Sequence, residues 1–421
     1  MPAKGAHVDV IVGGGVVGLS IAWRLARDGR PVTLVDPAPA SGASHAAAGM
    51  LAPVSEVTYT EAPLLRLGVA SLRRWPSFAA ELAADAGFGA DDVLGEGFGI
   101  GEAARAGLDL RAEGTLDVAF GADDLAALDE LAAFMDKLAL PVERLTGREC
   151  RRLEPMLAPS VRGGLLAPGD AWVDPRRVTA ALLAALDRLG VPLVRARATE
   201  LLRDGGRVVG VRLAPSGDRD ARAAGDVPSE MRADQVILAA GVWSAELADV
   251  PVRPVKGQIM RLRSARPLLT RCVRGTVHGA SVYLVPRGDG ELVVGATQEE
   301  MGFDTRVTAG GLYELLRDAR ELVPGVTELE VADVVAGLRP GTPDNLPLIG
   351  PSGTPGLTLA TGHYRGGVLL APLTAALVAS AVAGIPAGVP GGAGGLVGDG
   401  VLGEEGELAA LCSPGRFRET S

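Results

Sequence analysis

The chain has 421 residues, 47% hydrophobic and 22% charged, which suits a folded protein with more than one core. Its formal net charge of -10 and pI near 5.1 argue against nucleic acid as the main partner, because phosphate binding needs clustered positive charge. Three widely separated cysteines, Cys150, Cys272 and Cys412, form neither a disulfide framework nor a metal motif, so a reducing compartment and no metal are expected.

Val8 to Val12 is an apolar run of strand length. Gly13-Gly14-Gly15-Val16-Val17-Gly18 then satisfies G-x-G-x-x-G. Leu19 to Asp28 carries apolar residues at helical spacing, and Gly29 ends it. Pro31 to Val35 reads as a second strand closed by Asp36. In such a β-α-β frame Gly13 allows the tight turn, Gly15 lets a pyrophosphate approach the backbone, and Gly18 lets the helix sit close to the strand. Asp36 is placed to accept hydrogen bonds from an adenosine ribose. The frame implies a dinucleotide without separating NAD from FAD. Although apolar, this stretch carries glycines and Arg24 and no cleavage site after a basic leader. It is not read as a signal or membrane segment, and a cytoplasmic protein is expected.

The small-residue segment "SGASHAAAGMLAP" (41–53) suits a large flat ligand lying against backbone. Residues 123–139 predict a helix with an aspartate cap. Residues 174–190 predict another, with Asp174 at the N-cap, Pro175 at the first position and Gly190 as terminator. Strands are expected at 207–213, 252–262, 281–286 and 291–296. This run of strands without helices points to an antiparallel sheet beside the parallel one. "VILAAGVWS" (236–244) reads as a strand, a small-residue turn and a helix start. Polar and glycine-rich stretches at 216–230 and 384–404 read as solvent loops. Near the end, "ATGHYRGGVLLAP" (360–372) places His363, Tyr364 and Arg365 on a glycine hinge before an apolar helix, a natural anion site.

Taken in order, "GGGVVGLSIAWRLARDG", "AAAGMLAP", "EGTLDVAF", "VDPRRV", "VILAAGVWS", "PVKGQIMRL", "YLVPRGDGELVVGAT", "GLRPGTPDNLPLIG" and "GHYRGGVLLAP" span nearly the whole chain. The set resembles the glycine oxidase branch of the D-amino acid oxidase family of FAD-dependent oxidoreductases. The resemblance implies an α/β fold: an FAD-binding Rossmann-like domain (1–85, 146–250 and 336–421) and a discontinuous second domain on an antiparallel sheet (86–145 and 251–335). Gly337-Leu338 stands where members with covalent flavin carry a cysteine, which implies non-covalent FAD.

The resemblance further assigns cofactor contacts to Gly13, Gly15, Val16, Val17, Gly18, Asp36, Pro37, Ala43, Ser44, Ala48, Gly49, Met50, Ala198, His363, Tyr364, Arg365, Gly366, Gly367, Val368 and Leu369. Tyr283, Arg339, Arg365 and Met50 are assigned to the substrate, Arg339 as a bidentate carboxylate partner stiffened by Pro340. No catalytic side chain is implied, since flavin N5 takes the hydride. His363 is read as structural and His45 as a loop residue near the flavin. The implied reaction oxidises glycine or a small amino acid to an imino acid, then a keto acid and ammonia, with O2 reduced to H2O2, in thiamine biosynthesis. A thiazole synthase that uses the imine is an implied partner, no membrane partner is expected, and a homo-oligomer is. Alternatives are a D-amino acid or sarcosine oxidase, a dehydrogenase passing electrons to a carrier, and a non-catalytic flavin module. The clamp argues against the last of these.

Overall fold

A computed structural model describes residues 8–88, 102–215, 228–384 and 400–417. The expected solvent loops at 216–230 and 384–404 fall largely outside them.

The first sheet has six strands in the order Leu348–Pro351, Leu357–Thr361, Gln235–Leu238, Asp9–Val12, Val32–Val35 and Leu193–Val194. Neighbours run parallel except at Leu348–Pro351, an antiparallel edge. Period-two alternation buries both faces. Ile11 packs with Leu19 and Ile21 of the helix Val16–Arg27, while Val10 and Val12 pack with Val208 and Val211 of a three-stranded antiparallel sheet behind. The helix begins at Val16 rather than Leu19, because extended Gly15 is its N-cap. In the helix Pro175–Arg188, Asp174 accepts the Arg176 N–H at 2.9 Å, as its sequence predicts. The helix Ala122–Lys137 is capped differently from expectation. Extended Gly121 is the cap residue, and the Asp124 carboxylate reaches back to its N–H at 2.9 Å.

The second sheet has eight strands, in the order Glu330–Gly341, Arg253–Arg263, Glu291–Gly295, Ala280–Pro286, Cys272–Val277, Thr115–Ala119, Gly163–Ala167 and Glu143–Thr146. It is antiparallel except where Cys272–Val277 runs parallel to Thr115–Ala119. The helix Ala309–Leu322 covers one face, packing Leu315, Ala319 and Leu322 on Met260, Leu262 and Leu284. The other face turns Gly257, Ile259, Tyr283, Gly337 and Arg339 toward the loops of the first sheet.

The expected boundaries need correction on this pairing. Gly163–Ala167 lies inside the 146–250 segment assigned to the FAD domain, yet it pairs with Thr115–Ala119 in the second sheet. Glu330–Gly341 is one unbroken strand across the expected break at 335/336, because its whole length pairs with Arg253–Arg263.

Candidate active site

One cavity of about 580 Å³ runs between the two sheets. At one end lies the glycine loop. Gly13 takes φ +114°, and a Cβ there would stand 2.3 Å from Ala239 O, so only glycine fits between these strands. Gly13, Gly15, Val16 and Val17 line the cavity. Gly18 does not. Its work is structural, since a Cβ there would meet Gly13 O at 1.9 Å. Ser44 Oγ accepts the Val16 N–H at 2.9 Å and ties the small-residue segment to the helix start.

Asp36 and Pro37 line the cavity beside the glycine loop. Asp36 Oδ2 accepts the Gly14 N–H at 2.6 Å and its Oδ1 accepts the Ala38 N–H at 2.7 Å. Burial pushes its carboxyl above the ordinary range, against the pull of those two amides. Each oxygen keeps a lone pair for a ligand. Ala43, Ala48, Gly49, Met50 and Ala198 also line the cavity. Arg287, nearly completely buried, donates to Ala48 O at 2.5 Å and Val173 O at 2.9 Å, which fixes the backbone beside Gly49 and Met50.

At the other end lie Tyr283 and Arg339. Both stand on the cavity face of the eight-stranded sheet, and Arg339 lies across Gly257, where a Cβ would be 2.4 Å from Nη1 and Nη2. Arg339 Nη1 donates to Thr297 O at 3.2 Å and Lys256 O at 3.4 Å. Among the described residues no carboxylate pairs with it, so the cavity holds a guanidinium without an anion. Burial pushes the Tyr283 phenol up to about 12, with the Arg339 cation opposing, so it remains a hydrogen-bond donor at physiological pH.

Arg365 behaves otherwise. It lines the cavity but pairs with the Glu61 carboxylate, which also accepts Asn345 Nδ2 at 2.7 Å. Its guanidinium carbon lies 5.5 Å from the Tyr364 ring centroid. Tyr364, Gly367, Val368 and the buried His363 line the cavity too, whereas Gly366 and Leu369 face a smaller space of about 30 Å³ behind it. The Gly366 N–H is engaged by His363 O at 2.9 Å, and Leu369 O accepts from Ser71 Oγ and Trp75 Nε1. The apolar helix starts only at Ala371, so the expected helix-end anion site is not at the glycine pair. His363 Nε2 lies 3.0 Å from Thr374 Oγ1, and burial holds its ring down at about 3, which makes it a neutral structural residue. His45 is exposed and does not line the cavity.

Sequence reasoning missed Glu56, Arg274, Ser281 and Gln298, all on the cavity wall. Glu56 follows a turn whose Val54 and Ser55 amides are held by buried Asp170 at 3.2 and 3.1 Å. Arg274 pairs with Asp117 at 3.3 Å and donates to Ser55 O at 2.8 Å. Period-two spacing from Tyr283 could have found Ser281; nothing local marks the others. Among the described residues no group of His, Cys, Asp and Glu is arranged to hold a metal ion, and no helix is long and apolar enough to cross a membrane.

A parallel sheet with a glycine loop, an acid after its second strand and a ligand-sized cavity against a second sheet define a dinucleotide-binding enzyme fold. The model of the DAO family, FAD dependent oxidoreductases, matches residues 10–381, and the chain belongs to that family. It is 34% identical over 374 residues to the bifunctional protein ThiO/ThiG of a Nostoc species, covering 87% of this chain and 51% of that protein. It is also 34% identical to the glycine oxidase of Geobacillus kaustophilus, covering 86% of this chain and 89% of that one. The crystal structure of glycine oxidase from Geobacillus kaustophilus superposes with a TM-score of 0.75 at 33% identity, over 90% of this chain and 95% of that one. This chain spans about half the length of the bifunctional relatives it matches.

The residues present fit FAD. Gly13, Gly14 and Gly15 line one end of the cavity beside Asp36, and its wall at 46–49 is all alanine and glycine, which leaves backbone within reach of a large flat ligand.

Proposed function

We propose that this FAD-dependent oxidoreductase oxidises the amine of glycine or a similarly small amino acid, with Arg339 as the principal carboxylate partner. The observation that carries the reading is the Arg339 guanidinium, free of any described carboxylate, laid over Gly257 beside the Tyr283 phenol in the same cavity as the glycine loop. FAD, held there, would supply the hydride acceptor for oxidation of the amine to the imine and the route by which the two electrons reach O2 as H2O2.

The chain supplies position. Arg339 offers two parallel N–H groups to a carboxylate, a geometry that lysine cannot copy. Tyr283 donates a third hydrogen bond. Glu56, also on the cavity wall, would accept a hydrogen bond from the substrate amine. Arg365, already neutralised by Glu61, closes the wall behind. Met50 packs against the buried cluster that includes Ile259 and would bound the space for a substrate side chain.

The glycine loop, Asp36 and the 43–50 segment hold FAD without a covalent bond, since Gly337 and Leu338 offer no thiol. ThiO/ThiG relatives join such a chain to a second one, which supports a thiazole synthase as the user of the imine. Oxygen uptake and peroxide release with glycine test the reading, and acid precipitation should free all the flavin as FAD. Peroxide formed from neutral amines as readily as from glycine would sink the clamp. Flavin left in the pellet would sink the non-covalent assignment.

A further inference from the structure

We propose that the pair formed by buried Lys256 and partly exposed Glu299, on the far side of the sheet from the cavity, is a positioning device that aims Arg339. The inference rests on Arg339 being the carboxylate clamp.

Arg339 is carried on two carbonyls, those of Lys256 and Thr297. They come from different segments, so the direction of the guanidinium depends on how those segments are fixed to each other. Strand alternation puts Gly257 on the cavity side and turns Lys256 and Gln258 the other way. Both are buried, at 0% and 1% exposure. Glu299 gathers the cluster. Its Oε2 lies 3.3 Å from Lys256 Nζ, and its Oε1 accepts Gln258 Nε2 at 2.7 Å and Thr297 Oγ1 at 2.5 Å. Backbone bonds of 2.9 Å run both ways between Lys256 and Glu299. Gln258 Oε1 accepts the Thr308 N–H at 2.8 Å, which ties the cluster to the start of the helix Ala309–Leu322. Residues 297–299 are thereby clasped to 256–258 directly beneath Arg339.

Stability alone does not call for such a pair. A buried ammonium is costly, and an apolar pair of similar volume commonly serves a fold as well or better. Further along the same strand, the same helix is met by Met260 and Leu262, which pack as ordinary core. The polar exchange occurs where the strand passes under the guanidinium. Loss of the pair lets the two carbonyls move relative to each other, and Arg339 with them.

The test is a double-mutant cycle on holoenzyme, read as the dissociation constant of acetate from its perturbation of the flavin absorption spectrum. Glu299→Gln should weaken acetate about tenfold, and raise KM for glycine more than it lowers kcat. In an Arg339→Leu background the same substitution should change acetate binding little. Should Glu299→Gln fail to fold with Lys256 left unpaired, Lys256→Met with Glu299→Gln removes both charges. That variant should melt within a few degrees of wild type and still bind acetate weakly. Equal weakening in both backgrounds would overturn the inference, as would a lowered melting temperature with unchanged acetate affinity. If Arg339→Leu itself leaves acetate binding intact, the clamp reading fails first and takes this inference with it.

Discussion

Gly257 decides whether Arg339 lies flat on the sheet. Its absent side chain leaves the space that the guanidinium occupies, so Gly257→Ala must push Nη1 and Nη2 from their present places, 2.4 Å from the new Cβ. A misplacement of about 1 Å at a positioning group costs on the order of a hundredfold. Gly257→Ala should lose roughly that factor in kcat/KM for glycine while keeping its flavin. Steady-state kinetics at matched flavin content check this, and a loss below twofold would show that the guanidinium has other room. The two cavity arginines also differ at this scale. Arg365 is spoken for by Glu61, whereas Arg339 meets two carbonyls and the Tyr283 phenol but no carboxylate among the described residues. Local sequence marks both alike, because the charge partner Glu61 is hundreds of residues away in the chain.

Elements explain which parts of the site were legible. The strand–glycine loop–helix unit and the Asp174-capped helix are set by neighbours in sequence, and their residues stand as the pattern implies. The turn at 361–370 is not local in that sense. It is fixed by His363 on Thr374 and by Leu369 O on Ser71 and Trp75, so Gly366 and Leu369 are turned away from the cavity despite their motif. The turn also carries a pH signature. His363 titrates near 6.5 when unfolded and near 3 when folded, because burial disfavours its cation. A depressed pKa contributes stability above 6.5, and that contribution drains away as pH falls from 6.5 toward 3. Relative to His363→Gln, wild type should therefore lose about 2 kcal/mol between pH 7.5 and pH 5. Urea unfolding at the two pH values measures it; a difference between the proteins that does not change with pH would contradict neutral burial.

The whole molecule places a dinucleotide cradle from one sheet against a guanidinium from another. Sequence pattern gave the two kinds of sheet, but not the partition of the chain between them. Gly163–Ala167 joins the second sheet through pairing with Thr115–Ala119, and Glu330–Gly341 bridges the assumed boundary because Arg253–Arg263 pairs with it throughout. Register across distant strands is what brings Arg339, Tyr283 and Glu56 to one cavity, and no local motif encodes it. The most direct test of the account is kcat/KM for glycine in Arg339→Leu holoenzyme, with Arg365→Leu as its companion. Removing one partner of a buried charge pair costs roughly 2–5 kcal/mol. Arg339→Leu should stay yellow and folded yet lose between about thirty-fold and several-thousand-fold in kcat/KM, with the smaller loss in Arg365→Leu. Near-normal kcat/KM in Arg339→Leu, with activity abolished in Arg365→Leu, would contradict it.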